Sequence, residues 1–211
     1  MAMIRAVLCD DHTLVRRGLT HILADAGDIE VVAEAGEYGE LRRILTRERV
    51  DVLLLDIDLP GKHGMDVLEA VRRDFPDVGV LMLSLHPEEQ YAVRALRAGA
   101  KGYLNKNSAP ENLVKAVRTI AAGQRFLNPE VMDLLVERFT DEQPAAPHEQ
   151  LSNREFQVLR LMASGQRMSD IAASLAISPK TVNVYRARIF AKLGVRNLVE
   201  VVHYATRHGI S

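Results

Sequence analysis

Asp10 and Asp11, Asp56, Ser84 and Lys106 each lie at or just beyond the end of a short apolar run: Ile4–Cys9, Val52–Leu55, Val80–Leu83 and Gly102–Leu104. Three carboxylates brought together repel one another and call for a cation. Hard oxygen ligands at an open octahedral position favour Mg2+. A hydroxyl and an ammonium opposite such an ion would complete a cradle for the oxygens of a phosphoryl group. No Gly-rich phosphate loop and no GxGxxG precedes a helix, which disfavours the nucleotide-binding members of the same fold class.

Such residues converge only if the runs are neighbouring strands of one sheet. The runs Ile4–Cys9, Val31–Ala35, Val52–Leu55, Val80–Leu83 and Gly102–Leu104 alternate with helix-period stretches at about 14–25, 38–48, 65–75, 88–98 and 111–122. Several strands lack polar alternation, as expected when helices cover both faces. Five βα repeats predict an α/β doubly wound, five-stranded parallel sheet of the flavodoxin-like kind, with ligands at the carboxyl ends of its strands. Asn128-Pro129 then opens a short helix to about Phe139, with an N-cap and a proline at the first helical position. Thr140–Gln150 has two prolines and no apolar period, and reads as an exposed linker. Beyond it the pattern is all-α, with helices at about 153–163, 169–175, 179–192 and 197–207. The middle pair, joined by a tight turn, fits a helix-turn-helix. The expected division is 1–124, a helix and linker over 125–150, and a four-helix domain over 151–211.

Composition narrows the class. Hydrophobic residues are 47% and charged residues 26%, an ordinary globular balance. No apolar run approaches the ~20 residues of a membrane span, and with the acidic pair reached already at 10–11 no signal peptide is expected. The single cysteine, Cys9, lies in an apolar run and forms no intrachain disulfide, so a reduced, cytoplasmic chain is expected. The overall charge of −1 hides an asymmetry: residues 151–211 carry nine Lys and Arg against three Asp and Glu, which leaves 1–150 acidic. A basic C-terminal domain suits a polyanion.

The first 124 residues resemble the receiver domain of bacterial response regulators. The likeness rests on Asp10-Asp11, LLLDIDLPGKHG at 53–64, Ser84, and GYLNK at 102–106. It implies that Asp56 accepts a phosphoryl group from a sensor histidine kinase. It further implies that Asp10, Asp11, Asp56 and the backbone carbonyl of Asp58 hold Mg2+, that Ser84 and Lys106 contact the phosphoryl group, and that Ser84 and Tyr103 are the switch pair. Two departures stand out. Asn107 follows the lysine where many receivers have proline, and Leu85 follows the hydroxyl where alanine is common, which would narrow access to Asp56.

On the helix at 179–192, stepping by ~100° per residue puts Val182, Tyr185, Ile189 and Leu193 on one inward stripe. Lys180, Asn183, Val184, Ala187 and Arg188 lie opposite, and Thr181 at the helix start joins them as a candidate DNA contact. Cations for phosphate or guanine, an amide for adenine and small apolar groups for a thymine methyl suit the major groove; a merely solvated basic face is the plain alternative. LSNREFQVLRLMASGQRMSDIAASLAISPKTVNVYRARIFAKLGV at 151–195 resembles the LuxR-type domain of the NarL/FixJ family. With Asn183 and Tyr185 where lysine and histidine are frequent, it looks most like the GacA/UvrY branch. Leu198, Val201, Val202 and Ala205 form a further stripe, on the helix that mediates dimerisation in that family.

Together these resemblances imply a non-enzymatic transcription regulator. Its expected partners are a hybrid sensor kinase of the BarA/GacS kind, double-stranded DNA and a second copy of itself, with no membrane. Two rivals carry different expectations. Asp56-Ile57-Asp58 resembles the nucleophile motif of haloacid-dehalogenase-like phosphatases, but those place it after the first strand. A DNA-binding regulator not controlled by phosphorylation would need no intact acidic pocket.

Overall fold

A computed structural model of the chain describes residues 3–140 and 146–210. It comprises two compact units, Met1–Thr140 and Asp141–Ser211.

In the first unit the strands are β1 (Ile4–Cys9), β2 (Ile29–Ala35), β3 (Val52–Asp56), β4 (Gly79–Ser84) and β5 (Gly102–Asn105). The helices are α1 (Thr13–Asp25), α2 (Tyr38–Arg47), α3 (Gly64–Asp74), α4 (Glu88–Arg97), α5 (Pro110–Ala121) and α6 (Pro129–Thr140). The sheet runs β2-β1-β3-β4-β5, and every pair is parallel. Every residue of β3 and β4 is buried, the reason their sequences carry no alternation. Leu8, Leu54, Leu81 and Leu83 pack with Leu23 of α1 and Val117 and Ile120 of α5.

The topology locates the site. The chain leaves β1 toward β2 and returns to β3 on the other side, so the crevice opens at the carboxyl ends of β1 and β3. Cys9 pairs with Leu55, which sets Asp10 and Asp56 side by side. Ser84 pairs with Asn105 at the far end, one residue before Lys106.

The two units divide inside the segment expected to be helix and linker. Phe126 bridges Gly102 in parallel, its N–H donating to the Lys101 carbonyl at 2.8 Å. Asn128 caps α6 through its side chain, accepting from Val131 N–H at 3.0 Å. Val131 is buried, and α6 packs on α4. Of the expected linker, residues 141–145 lie outside the described residues. Its last four residues, Pro147–Gln150, are no free linker but a 3-10 turn. The His148 main-chain N–H donates to the Tyr204 hydroxyl at 3.2 Å, and its Nδ1 lies 3.0 Å from the same oxygen.

The second unit continues with α7 (Asn153–Ala163), α8 (Met168–Ser174), α9 (Pro179–Leu193) and α10 (Leu198–Arg207). Ser152 and Glu155 form a capping box at α7, as Ser-x-x-Glu before an apolar run foretells. No described helix is long and apolar enough to cross a membrane.

One glycine is fixed by the site itself. A Cβ on Gly64 would lie 2.1 Å from the Asp56 carbonyl oxygen and 2.7 Å from the Ile57 Cα. Both obstacles are backbone, so neither yields by a rotamer change. Gly64→Ala is expected to destabilise the first unit toward the upper end of ~1–3 kcal/mol. The measurement is urea denaturation, and an unchanged midpoint would contradict this packing.

Candidate phospho-acceptor site and nucleic-acid interface

Asp10 and Asp56 are each 2% exposed and Ser84 is fully buried. Lys106 reaches both carboxylates: its Nζ lies 2.7 Å from Asp10 Oδ2 and 2.8 Å from Asp56 Oδ2. The Lys106 backbone N–H donates to the Ser84 carbonyl at 2.7 Å, which ties the loop after β5 to the end of β4. Burial raises the Asp56 carboxyl to about 6, against the opposing hydrogen bond and charge of Lys106; Asp10 and Asp58 add to the rise. For Lys106, burial favours the neutral amine, but hydrogen bonds to Asp10 and Asp56 outweigh it and the ammonium is held above its usual range. Burial also pushes the Cys9 thiol up to about 12, so it sits in the core as an inert group.

Ligand atoms of Asp10, Asp11, His12 and Asp56 all lie within 4.8 Å of one another. Three carboxylates around one accessible opening match the hard-oxygen donor set of a divalent cation. His12 joins them, its Nδ1 2.8 Å from Asp11 Oδ1. His12 was not among the residues singled out from the sequence; it occupies the N-cap position of α1 but makes no side-chain cap bond. Asp10 Oδ1 instead accepts from the His12 backbone N–H at 2.8 Å, an Asx turn that aims the pair.

His86 links Ser84 and Tyr103, the two residues expected to act as a switch. Its N–H donates to Ser84 Oγ at 2.9 Å, and its carbonyl accepts from the Tyr103 hydroxyl at 3.0 Å. Its Nε2 lies 2.7 Å from Asp58 Oδ2. Tyr103 is buried in β5. Leu85 is 61% exposed, turned largely to solvent.

In the second unit, Ser178 caps α9, its side chain accepting from Thr181 N–H. Val182, Ile189 and Leu193 are buried, while Tyr185 is only half-buried. Lys180, Asn183, Val184, Ala187 and Arg188 are all exposed on the opposite side. Thr181 departs from that group: it is half-buried, and its Oγ1 lies 2.8 Å from Ser178 Oγ, so it belongs to the cap. The turn from α8 into α9 includes Ala176 at φ 52°, a left-handed position unusual for a residue with a side chain. The α10 stripe divides: Val201 and Ala205 are core, whereas Leu198 and Val202 are 41% and 36% exposed; beside them Val199, outside the stripe, is 64% exposed.

Comparison with known proteins agrees with both units. Residues 6–118 match the response regulator receiver domain, and residues 149–205 match the bacterial regulatory proteins of the luxR family. Response regulator UvrY of Escherichia coli (strain K12) is 37% identical over 209 residues, covering 99% of this chain and 96% of UvrY. Response regulator GacA of Pseudomonas aeruginosa is 38% identical over 210 residues, covering 99% and 98%. Among solved structures, the RcsB response regulator of Salmonella typhimurium superposes with a TM-score of 0.74 at 26% identity, covering 99% of each chain. RcsB bound to a promoter in the presence of the phosphomimetic BeF3− gives 0.68 at 27%, covering 97% of this chain and 98% of that one. The chain belongs to the response regulators that join a receiver to a LuxR-type helix-turn-helix DNA-binding domain, and it is a transcription regulator of that family.

The raised Asp56 pKa has a pH consequence. Its folded value, about 6, lies above the ordinary 3.8. Between these values the folded chain keeps a proton that the unfolded chain has released, so rising pH costs stability through that window. In Mg2+-free buffer at about pH 7.5, Asp56→Asn, which never ionises, is expected to melt above the wild type. The gap should close as pH falls through 6 toward 4. Equal melting temperatures near pH 7.5 would refute the shift.

Proposed function

We propose that Asp56 is the phospho-acceptor and that its phosphorylation by a sensor histidine kinase controls DNA binding through α9. The observation that carries this is the Lys106 ammonium held between two buried carboxylates, Asp10 and Asp56. An Asp56 oxygen would attack phosphorus, forming an O–P bond as the donor's P–N bond breaks. Lys106 stands where it can turn from Asp56 to an incoming phosphoryl oxygen. Ser84 Oγ accepts from His86 and, as a hydroxyl, can also donate. Asp10, Asp11, Asp56 and the Asp58 backbone carbonyl would hold Mg2+, which offsets the charge of the transferring group when bound.

Phosphorylation adds charge and acceptor oxygens beside Ser84. Drawing Ser84 toward them would pull on His86, and with it the Tyr103 hydroxyl, biasing a two-state receiver. On the DNA side, Lys180, Asn183, Val184, Ala187 and Arg188 would enter the major groove, with Thr181 supporting the helix start. The exposed Leu198, Val199 and Val202 support a homodimer on DNA. The likeness to UvrY and GacA supports a hybrid kinase of the BarA/GacS kind as phosphodonor, a cytoplasmic location and no turnover of an exogenous substrate.

Acetyl phosphate with Mg2+ should add one phosphoryl group by intact mass, and none to Asp56→Ala. Full labelling of that variant would overturn the assignment. For α9, Lys180→Ala is expected to weaken operator and scrambled duplexes alike and to lower the log-affinity against log-salt slope by roughly one. Asn183→Ala should cost about 1–3 kcal/mol on the operator and relax preference at one position. The reverse pattern in a salt titration would mean that α9 is turned differently on DNA.

A further inference from the structure

A residue outside the acidic pair after β1 reaches the backbone that joins it. Helical side chains slope toward the helix N-terminus, and Arg16 of α1 follows that slope back to the carboxyl end of β1. Its Nη1 donates to the Asp10 carbonyl at 2.6 Å. Its Nε donates to Glu34 Oε2 of β2 at 2.9 Å, and Nη2 to Thr13 Oγ1 at 3.3 Å. Glu34 is anchored in turn, accepting from Thr20 Oγ1 at 3.1 Å while its backbone is paired with Leu8. The guanidinium side chain is only 15% exposed.

The carbonyl that Arg16 holds belongs to the peptide joining Asp10 to Asp11. Rotation of that peptide would carry the two carboxylates apart. The Asp10 side chain has its own restraints in His12 N–H and Lys106. Asp11, 37% exposed at its side chain, is met by His12. Its direction therefore depends on the peptide plane.

We propose that Arg16 is a positioning residue for the divalent-cation site: it fixes the Asp10–Asp11 peptide so that Asp11 converges with Asp10 and Asp56. This rests on the metal reading above. Two effects of removing Arg16 compete. Loss of a positive charge near three carboxylates would favour cation binding, whereas loss of the fork would release Asp11. The guanidinium is already matched by Glu34, so the charge effect is small and the positional effect wins. Lysine keeps the charge but cannot span the Asp10 carbonyl and Glu34 with a planar fork.

The test is Mg2+ titration of the full-length chain by calorimetry, for wild type, Arg16→Lys, Arg16→Ala, Glu34→Gln and Asp11→Asn, with metal-free melting curves to show that each variant is folded. Arg16→Lys and Arg16→Ala should each bind Mg2+ about tenfold more weakly, the scale of an outer-shell loss. Glu34→Gln should fall in the same direction by less. Wild-type affinity in Arg16→Lys, or tighter binding in Arg16→Ala, would overturn the positioning role while Asp11→Asn still lost Mg2+. Failure of the wild type to bind Mg2+ would instead overturn the metal reading, and the role of Arg16 with it.

Discussion

At the ends of three parallel strands, one ammonium is shared by two carboxylates that water barely reaches. Lys106 lies 2.7 Å from Asp10 and 2.8 Å from Asp56, and each of the three side chains is less than a tenth exposed. Lys106 is the shared partner, so its loss would leave two carboxylates buried and uncompensated. Much of the sheet can be understood as what delivers these groups. The β2-β1-β3-β4-β5 order makes β1 and β3 neighbours, and the β4–β5 pairing carries Lys106 past Ser84. One positive charge against Asp10, Asp11 and Asp56 leaves the cluster short of neutrality. That deficit is what suits it to a divalent cation.

The DNA-binding unit is stiffened by a related device. Glu155, 3% exposed, accepts from Lys192 Nζ at 2.6 Å and from the Ser152 backbone N–H at 2.8 Å. Lys192 also donates to the Gln150 carbonyl at 3.1 Å. The last turn of α9 is thereby pinned to the first turn of α7, with a cation at the helix end where the macrodipole favours it. A rigidly seated α9 presents its outer side chains with less ordering left to do on binding.

The sequence was most legible where local chemistry and long-range structure agree. Apolar runs ending in Asp, Ser or a following Lys mark strand ends, and Ser152 with Glu155 marks a helix start, because each signal acts within a few residues. Arg16 was opaque because the carboxylate it meets is brought to it by folding. Arg16 meets Glu34 across eighteen positions, and nothing in either residue's neighbourhood marks the other. The 3-10 turn at Pro147–Gln150 escaped for the same reason, since its anchor, Tyr204, is 56 residues away. Thr181 carried two readings in the sequence, because a hydroxyl at the third position of a helix serves equally as a DNA contact or as part of a cap; the structure adds its contact with Ser178. On α10, an i, i+3, i+4, i+7 pattern gives a stripe but not its breadth. Val201 and Ala205 use up the core side, leaving Leu198 and Val202 at its margin.

Phe126 carries a further consequence. β5 is the outermost strand on its side of the sheet, and an open strand edge is a template for any extended chain that drifts against it. The bridge from Phe126 to Gly102 occupies part of that template with the protein's own backbone, and α6 then roofs α4. A receiver severed at residue 124 would lose both covers at once. Self-association of such a fragment would report on the missing selvage of the sheet, and would say nothing about how the whole protein assembles.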